Sequence, residues 1–361
     1  MTLQILLELW RKVKMKLADH LIYLDITNTC NLNCAFCMYK DKRKLKKSEL
    51  NLNMKARKNI SNLINHLDTS HIIISAEGEP FNNEKTMIDI LSLSNGSNYF
   101  QIITNGGWID DGFEKKMLFF NNLASSRNDK YSLRLSIDSF HLEKMSKEKY
   151  AIFFKHAQNA SKKFTNISFA IRSILDDKEM IREFISNILH DLNISFNLKT
   201  KSELDDELIF DEGNVNINYK NLVFPSLVGI RKPLSIYEYI SLLEDKYSKK
   251  FTLGNLAAIK ANKGLDLTIK PNGDVFFYGT EIESFGNIFY DNLGIDYFIE
   301  KLNSNIIIKT LYSSHFLRFL SQISKNPSIE KKILEVNNPY WIIKTLFPRY
   351  KEEIIGALKL K

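Results

Sequence analysis

Cysteine is scarce: the chain of 361 residues has three, Cys30, Cys34 and Cys37, and no fourth. That excludes a disulfide framework, because an odd number of thiols packed within a few positions suits neither bridge geometry nor a secreted scaffold. It also leaves a Cys-only zinc site one ligand short. With seven scattered histidines to complete a tetrahedron, zinc is the weaker reading. Long apolar runs are missing too. No stretch reaches the roughly 18 residues of a membrane span, and the opening lacks the charged, apolar, small-residue order of a signal peptide. Charge of one sign is in only modest excess. Lys and Arg number 50 against 42 Asp and Glu, a net +8, which does not call for nucleic acid as a partner. What the chain does have is core material: 44% hydrophobic and 25% charged residues support a sizeable core and argue against wholesale disorder. The length suits one large domain with an appendage, or two domains.

All three cysteines lie in the run Asn28-Thr29-Cys30-Asn31-Leu32-Asn33-Cys34-Ala35-Phe36-Cys37-Met38-Tyr39. A cubane [4Fe-4S] cluster is usually held by four thiolates, so three leave one iron open to something that is not protein. The alternative is three buried structural cysteines. The Cys-x3-Cys-x2-Cys spacing, followed by an aromatic residue, resembles the cluster loop of the radical S-adenosylmethionine (SAM) enzymes. That resemblance implies a [4Fe-4S] cluster on Cys30, Cys34 and Cys37, with SAM chelated to the open iron through its amino and carboxylate groups. It further implies cleavage of SAM to a 5′-deoxyadenosyl radical, an electron donor such as a flavodoxin or ferredoxin, and a reduced, cytoplasmic setting.

Before the cysteines, Met1 to Leu17 has the stripe of an amphipathic helix, read as packed on the domain rather than lying on a membrane. Leu21 to Ile26 reads as a buried strand. Lys40 to Ser48 carries six basic residues, a solvated loop or an electropositive rim at the site mouth. Strands are then expected at His71 to Ser75, Tyr99 to Thr104, Tyr131 to Ile137, Asn166 to Leu175 and Asn193 to Leu198. Helices are expected over Lys55 to Leu67, Glu84 to Leu93, Gly112 to Leu123, Lys144 to Lys163 and Lys178 to Leu192. Such alternation, with near-continuous apolar strands, predicts an α/β fold with a parallel sheet covered by helices. The radical SAM resemblance implies a partial (β/α)6, TIM-like barrel, covering roughly residues 19–200.

In such sheets function gathers at the C-terminal ends of strands. The second strand runs into Glu77-Gly78-Glu79-Pro80, similar to the family's Gly-Glu-Pro motif, in which the backbone and acidic side chain take the SAM amino group. The third ends in Thr104-Asn105-Gly106-Gly107, similar to its Thr-Asn-Gly turn. The fourth ends in Ser136-Ile137-Asp138, resembling the Ser-x-Asp segment that meets the SAM ribose and carboxylate. The fifth carries Arg172, where relatives place an Arg fork on that carboxylate. Phe36 and Tyr39 are expected to wall the adenine and the cluster, and His141 reads as a structural histidine.

Beyond Lys201 the pattern changes. Glu203 to Glu212 concentrates acid and reads as an exposed connection. Asn221 to Leu227 is an apolar run interrupted by Pro225. Leu265 to Lys270, the Pro271-Asn272-Gly273-Asp274 turn and Val275 to Tyr278 predict a hairpin. With Phe285-Gly286-Asn287-Ile288 it resembles the hairpin opening the SPASM and twitch extensions of peptide-modifying radical SAM enzymes. There a Cys closes the second strand. Here Tyr278 stands at that place, so the fold is expected without its auxiliary cluster, and Tyr278 becomes a candidate hydrogen or proton relay. The expected organisation is an amphipathic helix (1–18), a radical SAM barrel (19–200), a connection (201–264) and a hairpin with helices (265–361). The resemblance implies an enzyme modifying a ribosomally synthesised peptide through a side-chain cross-link or similar C–H functionalisation. Its rivals are an enzyme acting on a small metabolite by dehydrogenation or rearrangement, and a non-catalytic SAM-binding regulator.

Overall fold

The computed structural model describes residues 18–37, 39, 47–222, 233–252 and 264–359. The helix expected over residues 1–17, most of the basic run 40–48 and most of the apolar run 221–227 lie outside the described residues.

Five strands, β1 (His20–Asp25), β2 (Thr69–Ser75), β3 (Tyr99–Thr104), β4 (Lys130–Ser136) and β5 (Ile167–Ile174), pair in parallel in chain order. Helices Met54–Ile64, Glu84–Leu91, Phe113–Ser126 and Lys147–Ala157 lie on the connections between them, as parallel pairing requires. Next come β6 (Asn197–Ser202), β7 (Asp205–Phe210) and β8 (Gly213–Lys220), of which β8 runs parallel beside β5 and the other two fold back antiparallel. At the other side β9 (Asp266–Ile269) adds in parallel to β1, and β10 (Val275–Phe277) returns antiparallel to β9. The product is an α/β fold on an open ten-stranded sheet, ordered β10-β9-β1-β2-β3-β4-β5-β8-β7-β6. No helix among the described residues is long and apolar enough to cross a membrane.

Three expectations are corrected. The last strand of the first half falls at Asn197–Ser202, on the sheet edge and antiparallel, while the place beside β5 goes to β8. The acidic stretch 203–212 is no exposed connection. Its Asp205–Phe210 segment is β7, with Asp206, Leu208 and Phe210 buried on one side, so the acids masked a period of two. The expected helix over Lys144 to Lys163 splits into Lys147–Ala157 and Ala160–Lys163, with Gln158 and Asn159 between.

The strands also alternate instead of being apolar throughout. Ile22, Leu24, Ile72, Ile74, Phe100 and Ile102 point to one face and join Ile60, Met87 and Phe120 of the covering helices in the main core. Register puts Tyr23, Asp25, Gln101, Arg134, Ser136 and Arg172 together on the opposite face. A sheet whose helices pack on one side needs apolar residues only at every second position. A second core, including Ile240, Phe319, Ile333, Ile342 and Leu346, holds the C-terminal helices together. The last of these, Ile342–Lys359, contains Pro348 and is kinked at Tyr350, where the backbone leaves helical geometry.

Candidate active site

The chain leaves β1 at Asp25 and is clamped before it reaches the first cysteine. Gly78 N–H donates to Thr27 O (3.1 Å), Glu79 N–H to Thr29 O (2.8 Å), and Asn83 Nδ2 to Ile26 O (3.0 Å). The segment after β2 is therefore a strap across the stalk of the cysteine loop. The approach is tight enough to require glycine, since a Cβ on Gly78 would sit 2.0 Å from the Thr29 carbonyl oxygen. The turn after β3 closes the other side. Asn105 Nδ2 donates to Asn31 Oδ1 (2.8 Å) and reaches Cys30 Sγ at 3.6 Å, while Leu32 N–H points at the same sulfur from 3.4 Å. A Cβ on Gly107 would strike Asn31 Nδ2 at 1.9 Å.

Glu79 joins the two turns. Its side chain is 2% exposed and accepts from Thr104 Oγ1 (2.7 Å), Asn105 N–H (2.7 Å) and Phe81 N–H (3.3 Å). Burial outweighs these donors and pushes its carboxyl up to about 7. Pro80 follows at the start of a short 3-10 turn, Pro80–Asn83, which Glu79 caps. Thr104, which opens the Thr-Asn-Gly turn, also receives the Trp108 indole N–H at 2.9 Å, a contact that the motif does not announce.

Asp138 spends both oxygens locally. Oδ1 accepts from the Phe140 and His141 N–H groups, and Oδ2 lies 2.8 Å from His141 Nδ1, so Asp138 caps the turn Ser139–Leu142. That turn abuts the cysteine loop: Phe36 stacks on Phe140 with centroids 4.5 Å apart and meets His141 edge-on at 5.8 Å. Cys34, Phe140, Ile174 and Leu222 form a small apolar pack beneath. Ser136 and Arg172 lie side by side in register on the polar face of β4 and β5.

Tyr39 and Tyr278 belong to a second group at the β1–β9–β10 side. Tyr39 meets Trp341 at 5.4 Å, and Tyr278 lies 5.3 Å from both Tyr23 and Tyr340. Burial holds both phenols well above their usual range, so they are neutral at physiological pH. These rings and Thr268 line a small pocket around Lys270. Lys270 Nζ lies 2.8 Å from Asp25, 3.1 Å from Glu77 and 3.1 Å from Glu281, and Lys344 takes the other Glu281 oxygen at 2.8 Å. Burial works against the Lys270 charge, but Asp25 and the other acidic neighbours outweigh it and hold the ammonium well above its usual range. Burial raises Asp25, whereas in Glu281 the two lysines overcome burial and bring it to about 2. Sequence reasoning missed this group; its members come from four separate segments of the chain, and the one visible signal was the polar alternation in Leu265 to Lys270.

The three thiols fit a cluster better than a single ion. Ligands of one tetrahedral zinc, at about 2.3 Å each, stand about 4 Å apart. Among the described residues the ligand atoms gathered within 4.8 Å of one another are those of His20, His66 and Asp68, not the three sulfurs. A cubane takes each thiolate on a different iron and so accepts a wider triangle. The histidine group is a poor metal site in its turn. His20 Nδ1 accepts the Leu265 N–H at 3.0 Å, which puts the ring proton of the neutral imidazole on Nε2 and leaves no lone pair there.

No protein-family model matches the chain, and no curated protein matches it in sequence. Among solved structures, BtrN in complex with AdoMet and 2-DOIA is similar at 12% identity over 89% of this chain and 93% of that one, with a TM-score of 0.40, a likeness too loose to assign this chain's chemistry.

Proposed function

We propose that this protein is a radical SAM enzyme with a single [4Fe-4S] cluster on Cys30, Cys34 and Cys37, and that its sheet is the partial barrel of that superfamily. One observation carries the reading: the loop bearing every cysteine is gripped from both sides, by the Gly78-Glu79 strap and by Asn105, at the C-terminal ends of three adjacent parallel strands. Bound there, the cluster and SAM would supply a carbon-centred radical able to remove a hydrogen atom from an unactivated C–H bond. The chain's own contribution is positional. Asn105 and the Leu32 N–H aim at the Cys30 sulfur, and such donors to a ligating sulfur tune a cluster's potential. Glu79 offers a buried carboxylate to accept the N–H of the SAM amino group, and Phe36 offers an aromatic wall. An electron donor of the flavodoxin or ferredoxin kind would complete the system.

Two substrate classes remain. The hairpin β9–β10 favours a peptide, cross-linked or otherwise altered at a side chain. The polar sheet face, with charged groups toward both sides and Tyr340 and Trp341 closing over one of them, favours a small polar metabolite. Anaerobic reconstitution with iron and sulfide, followed by dithionite and SAM, is expected to load about four irons per chain. It should also release 5′-deoxyadenosine, with both lost when the three cysteines are changed to alanine. Stable loading near eight irons, or a four-iron protein that never cleaves SAM, would reject the proposal.

A further inference from the structure

Three cations stand on neighbouring strands of the polar face. Arg134 on β4, Arg172 on β5 and Lys220 at the end of β8 share that face, because Ser136 pairs with Arg172, Arg172 with Asn218, and Ile174 with Lys220. Among the described residues no carboxylate pairs with any of them. The Nε atoms of both arginines are buried without a hydrogen-bond partner, and Arg134 spends one Nη1–H on Gln101 Oε1 at 2.8 Å. Both side chains are half-buried, but a buried N–H ordinarily finds an acceptor, and an unpaired one costs free energy. Such donors mark a place built for an oxyanion.

We propose that Arg134 and Lys220, flanking Arg172, form a subsite for a tetrahedral dianion, so that the substrate carries a phosphate monoester. The count of charges decides the class. If Arg172 is given to a carboxylate of SAM, two cations remain, and a dianion neutralises both where a second carboxylate would leave one bare. Burial, followed by the charges of Arg172 and Arg134, lowers Lys220 to about 7, with Asp138 opposing. Burial and then Arg172 lower Arg134 to about 9, with Tyr23, Tyr278 and Tyr99 opposing. Arg172 in turn faces Tyr239 and Tyr340 of the C-terminal segments. An arriving dianion reverses that repulsion and holds the Lys220 proton. At the far side of the face the Lys270 group sets three carboxylates against two ammonium groups, which directs an anion toward β4, β5 and β8.

That the anion belongs to a substrate rests on the function proposed above; the anion site does not, and its test needs neither electron transfer nor SAM cleavage. The probe is inorganic sulfate, dianionic across the range, titrated calorimetrically into the full-length protein at fixed ionic strength. Wild type is expected to bind one equivalent about tenfold more weakly at pH 8 than at pH 6, as Lys220 passes through its titration. Lys220→Arg should bind with no such pH dependence. Lys220→Gln and Arg134→Gln should each lose at least tenfold at pH 6. The protein loaded with cluster and SAM should still bind sulfate, and inorganic phosphate should compete with it. Equal sulfate affinity in wild type and both Gln variants, acetate binding as tightly as sulfate, or displacement of sulfate by SAM would each overturn the proposal. The radical reading would stand or fall separately on 5′-deoxyadenosine release.

Discussion

Glu79→Gln keeps the shape of the strap while removing its charge. In the absence of SAM the Glu79 carboxyl is held at about 7 rather than 4.5 by burial, so leaving it ionised at neutral pH costs about 3 kcal/mol. The sign follows from linkage. The folded protein holds this proton more tightly than the unfolded chain, so the contribution to stability is full below pH 4.5 and is lost as pH rises through about 7. An amino N–H donor bound against the carboxylate favours its ionised form and reverses the preference. If Glu79 receives the SAM amino group, SAM affinity in the wild type should rise about tenfold between pH 6 and pH 8 as the carboxylate forms. Glu79→Gln should flatten that profile and weaken binding by about 2 kcal/mol or more, about thirtyfold. Iron loading should be unchanged, because the substitution keeps the backbone bonds of Gly78 and Glu79 to the cysteine stalk. Equilibrium dialysis of labelled SAM against reconstituted protein reads the affinity, and urea unfolding of SAM-free protein reads the stability. An unaltered affinity, or an affinity that falls with rising pH in the wild type, would refute the role assigned to Glu79.

Gly78→Ala should damage the cluster rather than SAM binding alone. The added methyl would meet backbone at 2.0 Å, so the cysteine stalk itself must move, at a cost of about 1–3 kcal/mol; iron content after reconstitution should fall well below wild type, and normal loading would show the strap is not what holds the loop. Lys270→Met removes the cation that Asp25, Glu77 and Glu281 share, leaving Lys344 on Glu281, and loss of one partner of such a buried group costs about 3–5 kcal/mol. The denaturation midpoint should drop most at high pH and less as pH falls, because burial raises Asp25 and eases its protonation once the lysine is gone; an unchanged midpoint would mean the cluster of charges is not a structural unit.

The first half of the chain was legible because its information is local. Strand-ending motifs such as Gly78-Glu79-Pro80 and Thr104-Asn105-Gly106 sit within a few residues of the strands that present them, and β3 falls where its pattern places it. The hairpin of β9 and β10 was legible for the same reason, with turn residues between two alternating runs. What stayed hidden is the pairing of β9 with β1, a contact between residues some 245 positions apart that no local period announces. The salt-bridge group of Lys270 with Asp25 and Glu77 follows from that pairing and was hidden with it. The acids of Asp205–Phe210 concealed β7 because composition outweighed period in the reading.

The face to which those strands turn their polar residues is where the two halves of the chain meet. Burying one face of the sheet under helices fixes every second side chain of β1 to β5 as apolar, and leaves the alternate positions unconstrained by packing. At those positions the chain does not place the small neutral residues that would be least costly. There and at the matching places beyond β5 it sets Asp25, Arg134, Arg172, Lys220 and Lys270, each of them at least half-buried, and among the described residues no carboxylate pairs with the cations of β4, β5 and β8. A fold gains nothing from charges held apart from their partners, so the uncompensated arginines are better explained by a ligand than by stability. On the function proposed above, the motifs at the strand ends are where the chemistry would begin, and the charges on the polar face, invisible to motif reading because they stand at single positions on separate strands, are what a substrate there would meet.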